Sequence, residues 1–134
     1  MAININPILG YSNTIIGENH NIADPKVATK HQITNAAYLQ YLSVQLGMYK
    51  EINAVIFSSP NGAEEHIDTH LAHLDTMTSI IPVVLPPKGA VLYYDNQTFD
   101  LAVGEPVKIN HQLPHRVTVG DESGCVLIMA SEVL

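Results

Sequence analysis

The 134-residue sequence predicts a mainly β fold, a small antiparallel jelly roll with one or two N-terminal helices packed on it. Two observations carry that expectation. After Lys50 the chain becomes a series of short β-rich runs, "INAVIFSS", "SIIPVVL", "GAVLYYD", "TFDLAV", "PVKIN", "HRVTV" and "GCVLIMASEV". Pro, Gly, Asn and Asp separate them roughly every ten residues, the rhythm of a barrel or sandwich rather than of alternating βα units. Before Lys50 there is one strong helical pattern. The content of 46% hydrophobic and 14% charged residues fits a single domain, 1–134, with a real core.

Taken in order, residues 1–25 carry several Asn, two Gly and two Pro and read as a loose arm with one short strand at most. Residues 34–50, "TNAAYLQYLSVQLGMYK", read as a helix. Asn35 or Thr34 can cap it, and Leu39, Leu42, Leu46 and Tyr49 fall at i, i+3, i+7 and i+10 on one face. Tyr38, Tyr41 and Met48 widen that stripe into one suited to covering a core. Residues 51–134 supply the barrel, with "SPNGA" as its first turn. No internal repeat or low-complexity tract interrupts it.

The net charge is −7, and the six basic residues are scattered. Nucleic acid and anionic membrane surfaces both need clustered Lys/Arg, so neither is an expected partner. A small-molecule or peptide substrate stays open. Cys125 is the single cysteine, which gives no disulfide framework and points to a reducing compartment. No apolar run approaches a membrane span, and "MAININPILGYS" lacks the layout of a signal peptide, so a cytoplasmic location is expected. Jelly rolls of this size pair through exposed sheet edges, which makes a second copy a candidate partner.

The chemistry concentrates in the histidines. In "EEHIDTH", residues 64–70, an extended chain places His66, Asp68 and His70 on one face. His66 and Asp68 could hold one divalent ion there, and a histidine from a distant strand would complete a set of two imidazoles and one carboxylate. That set suits Fe(II) with coordination positions left open. His115 follows Pro114 and opens an alternating strand with Val117 and Val119, well placed for a barrel mouth. His111 reads as a loop residue of "NHQLP", and His70 and His73 lie three apart, so these three are alternative ligands. Glu64 and Glu65 read as solvated loop charges.

From about Ile52 to Met129 the chain resembles the Fe(II)/2-oxoglutarate-dependent oxygenases. "HID" at 66–68 looks like their first metal motif and "IPVVLPPKGAVLYYDN" like the strand pair that follows. "LAVGEPVKIN" looks like the lead-in to the distal histidine, and "LPHRV" supplies His115, 49 residues after His66. The resemblance implies a double-stranded β-helix with iron held by His66, Asp68 and His115. It also implies O₂ activation coupled to 2-oxoglutarate decarboxylation and substrate hydroxylation.

The family's carboxylate-binding arginine belongs ten residues after the distal histidine, where Cys125 stands. A cysteine cannot form the bidentate ion pair. Val119 likewise stands where an asparagine is often found. Arg116, the one arginine, lies next to His115 and so faces away from it in a strand. Lys108 and Lys88 are the remaining cations that could compensate, and either Tyr93 or Tyr94 should face inward with a hydroxyl for a carboxylate or a bound water. The cosubstrate therefore binds weakly, binds another way, or is replaced.

"GEPVKINHQLPHRV" also resembles the second motif of the cupins, with Gly104 and His115 at the matching spacing. Asn110 and Gln112 replace that motif's Pro and Gly, and "HIDTHLAHLD" gives no clean first motif. Both families share the double-stranded β-helix, so the barrel expectation is common to them. Three functions follow: an oxygenase, a cupin-like metalloprotein without 2-oxoglutarate, and a non-catalytic barrel.

Overall fold

The computed structural model describes residues 3–18, 30–49, 52–57, 77–85, 88–110, 112–119 and 125–131. Among the described residues, two helices precede or interleave with eight strands: α1 (Asn6–Glu18), β1 (Lys30–Gln32), α2 (Ala36–Gln45), β2 (Ile52–Phe57), β3 (Met77–Val84), β4 (Ala90–Tyr94), β5 (Gln97–Asp100), β6 (Val107–Asn110), β7 (His115–Val119) and β8 (Cys125–Ser131). The described strands form a five-stranded sheet, β1-β2-β8-β3-β6, and a three-stranded sheet, β5-β4-β7, with every pairing antiparallel. From β3 onward the chain passes from large sheet to small, back at β6, across again at β7 and back at β8. That alternation is a jelly roll.

Strand alternation sorts the large sheet's side chains into two cores. Val55, Ile80, Ile109 and Leu127 meet Leu92 and Val117 of the small sheet inside the barrel. Ala54, Ile56, Ile81, Val83, Ile128 and Ala130 lie on the opposite face, under Ile8 and Ile15 of α1 and Tyr38 and Leu42 of α2. A sheet covered on both faces needs near-continuous apolar strands, which is why "AVIF" and "IIPVV" lack polar alternation. Pro82 interrupts β3 without breaking it. The register shifts between Pro82 and Val84, and β6 pairs only as far as Ile80, so no ladder bond is lost to the missing N–H.

Residues 6–18 correct the expectation of a loose arm: they form α1. Gly10, Ser12, Asn13 and Thr14 are poor helix formers, and their turn-like composition masks a spaced set of buried residues, Ile5, Ile8, Ser12 and Ile15. Tertiary packing on the sheet overrides propensity here. Ser12 Oγ donates to the Ile8 carbonyl at 2.7 Å and meets Tyr38 Oη at 2.8 Å. With that hydrogen used, the Tyr38 hydroxyl must donate to Ser12, so one buried relay joins the two helices. Burial pushes the Tyr38 phenol above its ordinary range, against the opposing effect of the Ser12 bond.

The second helix is shorter than the expected 34–50. Asn35 caps it by accepting Tyr38 N–H at 3.0 Å, and it ends at Leu46 before Gly47. Tyr38 and Leu42 are its fully buried anchors, Leu39 is only half-buried, and Met48 is exposed. At the chain's start, Ile3 N–H donates to the Gly104 carbonyl at 2.6 Å, and Gly104 N–H donates to Pro82 at 2.9 Å. Gly104 has φ +77°, and a Cβ there would stand 2.5 Å from the Ile3 carbonyl oxygen, so this stitch requires glycine.

Candidate functional site

The barrel's two ends differ, and His115 lies at the polar one. Met77, Tyr94, Asn110 and His115 mark this end, since Met77 pairs with Asn110 and Tyr94 with His115. On the large sheet, Thr78 is buried and shares the inward face of Ile80, and half-buried Asn53 shares that of Val55. On the small sheet, Tyr94 packs against the inter-sheet core and His115 is its cross-strand neighbour. Two turns rim this mouth. Asp95 and Asn96, with φ 49° and 61°, close the β4–β5 hairpin in the left-handed geometry of a tight two-residue loop.

Asn110 organises the other turn. Its carbonyl accepts Leu113 N–H at 3.0 Å, its Oδ1 accepts Gln112 N–H at 2.9 Å, and its own N–H donates to Tyr94 Oη at 2.8 Å. The chain leaving this turn runs through Leu113 and Pro114 into β7, so His115 emerges from a fixed corner. Its side chain is only 2% exposed, and its Nδ1 lies 2.9 Å from the Leu113 carbonyl. A carbonyl can only accept, so Nδ1 carries the hydrogen in this bond. Metal-binding histidines are set up in this way, with one nitrogen tied to a carbonyl and the other presented as ligand.

The remaining expected residues divide clearly. Tyr94 faces the barrel, whereas Tyr93 faces out and carries Arg116 over its ring at 4.2 Å. Lys108 is exposed on the outward face of β6, opposite Ser79, and Lys88 is exposed in the turn before β4. Cys125 opens β8 opposite Phe57, at the other end of the barrel from His115. His66, Asp68, His70, His73 and His111 lie outside the described residues. Among the described residues, no three His, Cys, Asp or Glu side chains gather as a metal site. Asn53, Thr78 and the role of Asn110 were not anticipated. The signal for Asn53 was present, because it shares strand parity with Val55 in a run that is otherwise apolar.

No family model matches the chain, and no curated protein matches it in sequence. Solved structures do. An HTH_3-family transcriptional regulator from Vibrio cholerae matches over 98% of this chain and 73% of its own, at 12% identity and a TM-score of 0.50. The cupin-2 domain of an XRE-family transcriptional regulator from Enterobacter cloacae matches over 64% of this chain and 83% of its own, at 9% identity and a TM-score of 0.49. A cupin-2 domain protein from Shewanella frigidimarina matches over 60% and 70%, at 14% identity and a TM-score of 0.42. At such identities the first likeness speaks to fold alone, and the looser two add no argument. The strand order carries the conclusion. This is a small antiparallel jelly roll. Two helices cover the outer face of its large sheet, and no helix among the described residues is long and apolar enough to cross a membrane.

Proposed function

We propose that this jelly roll is a metalloprotein that binds one divalent ion through His66, Asp68 and His115, with Fe(II) the ion best suited to that ligand set. One observation carries the reading. His115 is buried at the polar mouth, with its Nδ1 hydrogen committed to the Leu113 carbonyl. An imidazole prepared in that way is costly to bury for packing alone and well suited to donating its Nε2 lone pair. When bound, the ion would act as a Lewis acid with positions open to a small ligand. The chain's part is to fix the imidazole's tautomer, keep the interior beyond it dry with Leu92, Val117 and Leu127, and present polar groups at the rim.

The choice of ligand favours a metalloprotein without 2-oxoglutarate over an oxygenase that uses it. Lys88 and Lys108 are exposed, and Arg116 is engaged on the outer face of Tyr93. None of these three cations is placed to pair with a dicarboxylate in the barrel, and Cys125 stands in sequence where the oxygenase resemblance implies an arginine. The same facts favour, as a second reading, a non-catalytic barrel that retains the fold and binds a small molecule.

Metal analysis of protein purified without chelators tests the first reading. About one iron or zinc per chain is expected, lost in His115→Ala and Asp68→Ala. A wild-type chain that retains no metal and shows no Fe(II) affinity by calorimetry would sink it. Retention of metal by Asp68→Ala would instead point to a cupin-like set drawn from His70, His73 or His111. Fe(II)-dependent turnover of millimolar 2-oxoglutarate would restore the oxygenase reading.

A further inference from the structure

Tyr93 and Tyr94 are adjacent in sequence and opposite in circumstance. Tyr94 packs against the inter-sheet core, is the register partner of His115, and accepts the Asn110 N–H on its phenolic oxygen at 2.8 Å. The Asn110 amide is itself held by the turn bonds to Leu113 and Gln112. The phenolic oxygen accepts from that amide, so the phenol's own hydrogen is left for a different acceptor. Tyr94 is thereby a donor at the rim of the mouth that His115 occupies, and its ring bridges the small sheet and the end of β6.

We propose that Tyr94 is a specificity-determining residue, donating its hydroxyl hydrogen to an sp² oxygen, a carbonyl or carboxylate oxygen, of a small molecule bound beside His115. The assignment rests on the metal-site reading only for where the rest of that molecule sits. An uncharged donor selects for oxygen acceptors without requiring the ligand to carry two negative charges, unlike a cation built to pair with a dicarboxylate. The Asn110 bond alone is consistent with a mere staple between sheets, so the test needs a readout that a staple would not move.

The full chain, metal-free and Co(II)-loaded, is titrated with acetohydroxamate, which offers a carbonyl oxygen, and with imidazole, which offers none. Tyr94→Phe is expected to weaken acetohydroxamate by about tenfold while leaving imidazole and Co(II) affinities unchanged. Tyr93→Phe is expected to change neither. In the wild type, the ¹³Cζ resonance of Tyr94 should move on adding acetohydroxamate while that of Tyr93 stays, which serves if the Phe variant folds poorly. Equal acetohydroxamate affinity in wild type and Tyr94→Phe would overturn the proposal and leave the metal reading standing. A chain that takes up no Co(II) but still loses acetohydroxamate affinity on Tyr94→Phe defeats the metal reading and upholds this one. If neither form of the wild type binds acetohydroxamate, the proposal is overturned outright.

Discussion

The two ends of the barrel are built from the same strands and spend them differently. At one end the inward residues are Asn53, Thr78, Tyr94 and His115. At the other they are Leu85, Ala90, Leu101 and Leu127, and the chain's start is stitched on through Ile3 and Gly104. Asn53, Thr78 and His115 each forgo the stabilisation a buried aliphatic chain would give, roughly 1.5–3 kcal/mol apiece. A fold under selection for stability alone would have no reason to place them together. The difference teaches that the barrel concentrates its aliphatic burial at the far end and its polar side chains at the His115 end.

Breaking the far end gives the largest expected effect. Leu127→Ala empties a site that is 1% exposed and should cost about 3 kcal/mol by denaturant unfolding, with the metal content of the folded fraction unchanged. Loss of metal without loss of stability would show that the two ends are not separable. Gly104→Ala is expected to cost about 2 kcal/mol, since it adds positive-φ strain to a Cβ clash with the Ile3 carbonyl. Amide exchange should then rise at Ile3 and Gly104 before it rises at His115. If it rises first at His115, the N-terminal stitch reaches the mouth and the contrast weakens.

The smallest effect belongs to the helix layer, outside both ends. Tyr38→Phe should cost about 1 kcal/mol at neutral pH through loss of the bond to Ser12. Its signature is in alkali. The Tyr38 phenol is raised in the folded chain, so above the ordinary tyrosine value near 10 the unfolded chain loses a proton that the folded chain keeps. Stability therefore falls as pH rises through that range, and the fall should be shallower in Tyr38→Phe. Parallel alkaline limbs for the two proteins would mean that Tyr38 is not the group responsible.

How much of this was legible beforehand follows from what each residue has to reveal. The strands announced themselves through short apolar runs and punctuating Pro, Gly and Asn, because those residues fix backbone geometry locally. His115 was legible for the same reason, as Pro114 marks the start of its strand. The first helix was not, because its helicity comes from packing on strands far along the chain, β3 and β8, rather than from its own composition. Nor could sequence decide between Tyr93 and Tyr94. Adjacent residues in a strand always face opposite ways, and only the pairing of β4 with β7 says which way is in. Lys108, a candidate for compensating a missing arginine, needed the β3–β6 register to be placed on the outer face.

The stitch between Ile3 and Gly104 has a practical consequence. Whatever is joined ahead of Ile3, a purification tag, a fluorescent reporter or a second domain, leaves the barrel beside the β5–β6 turn, at the end away from His115. An N-terminal fusion is thus the attachment that keeps the mouth clear, and it offers a fixed point for immobilising the chain with its polar end toward the solvent.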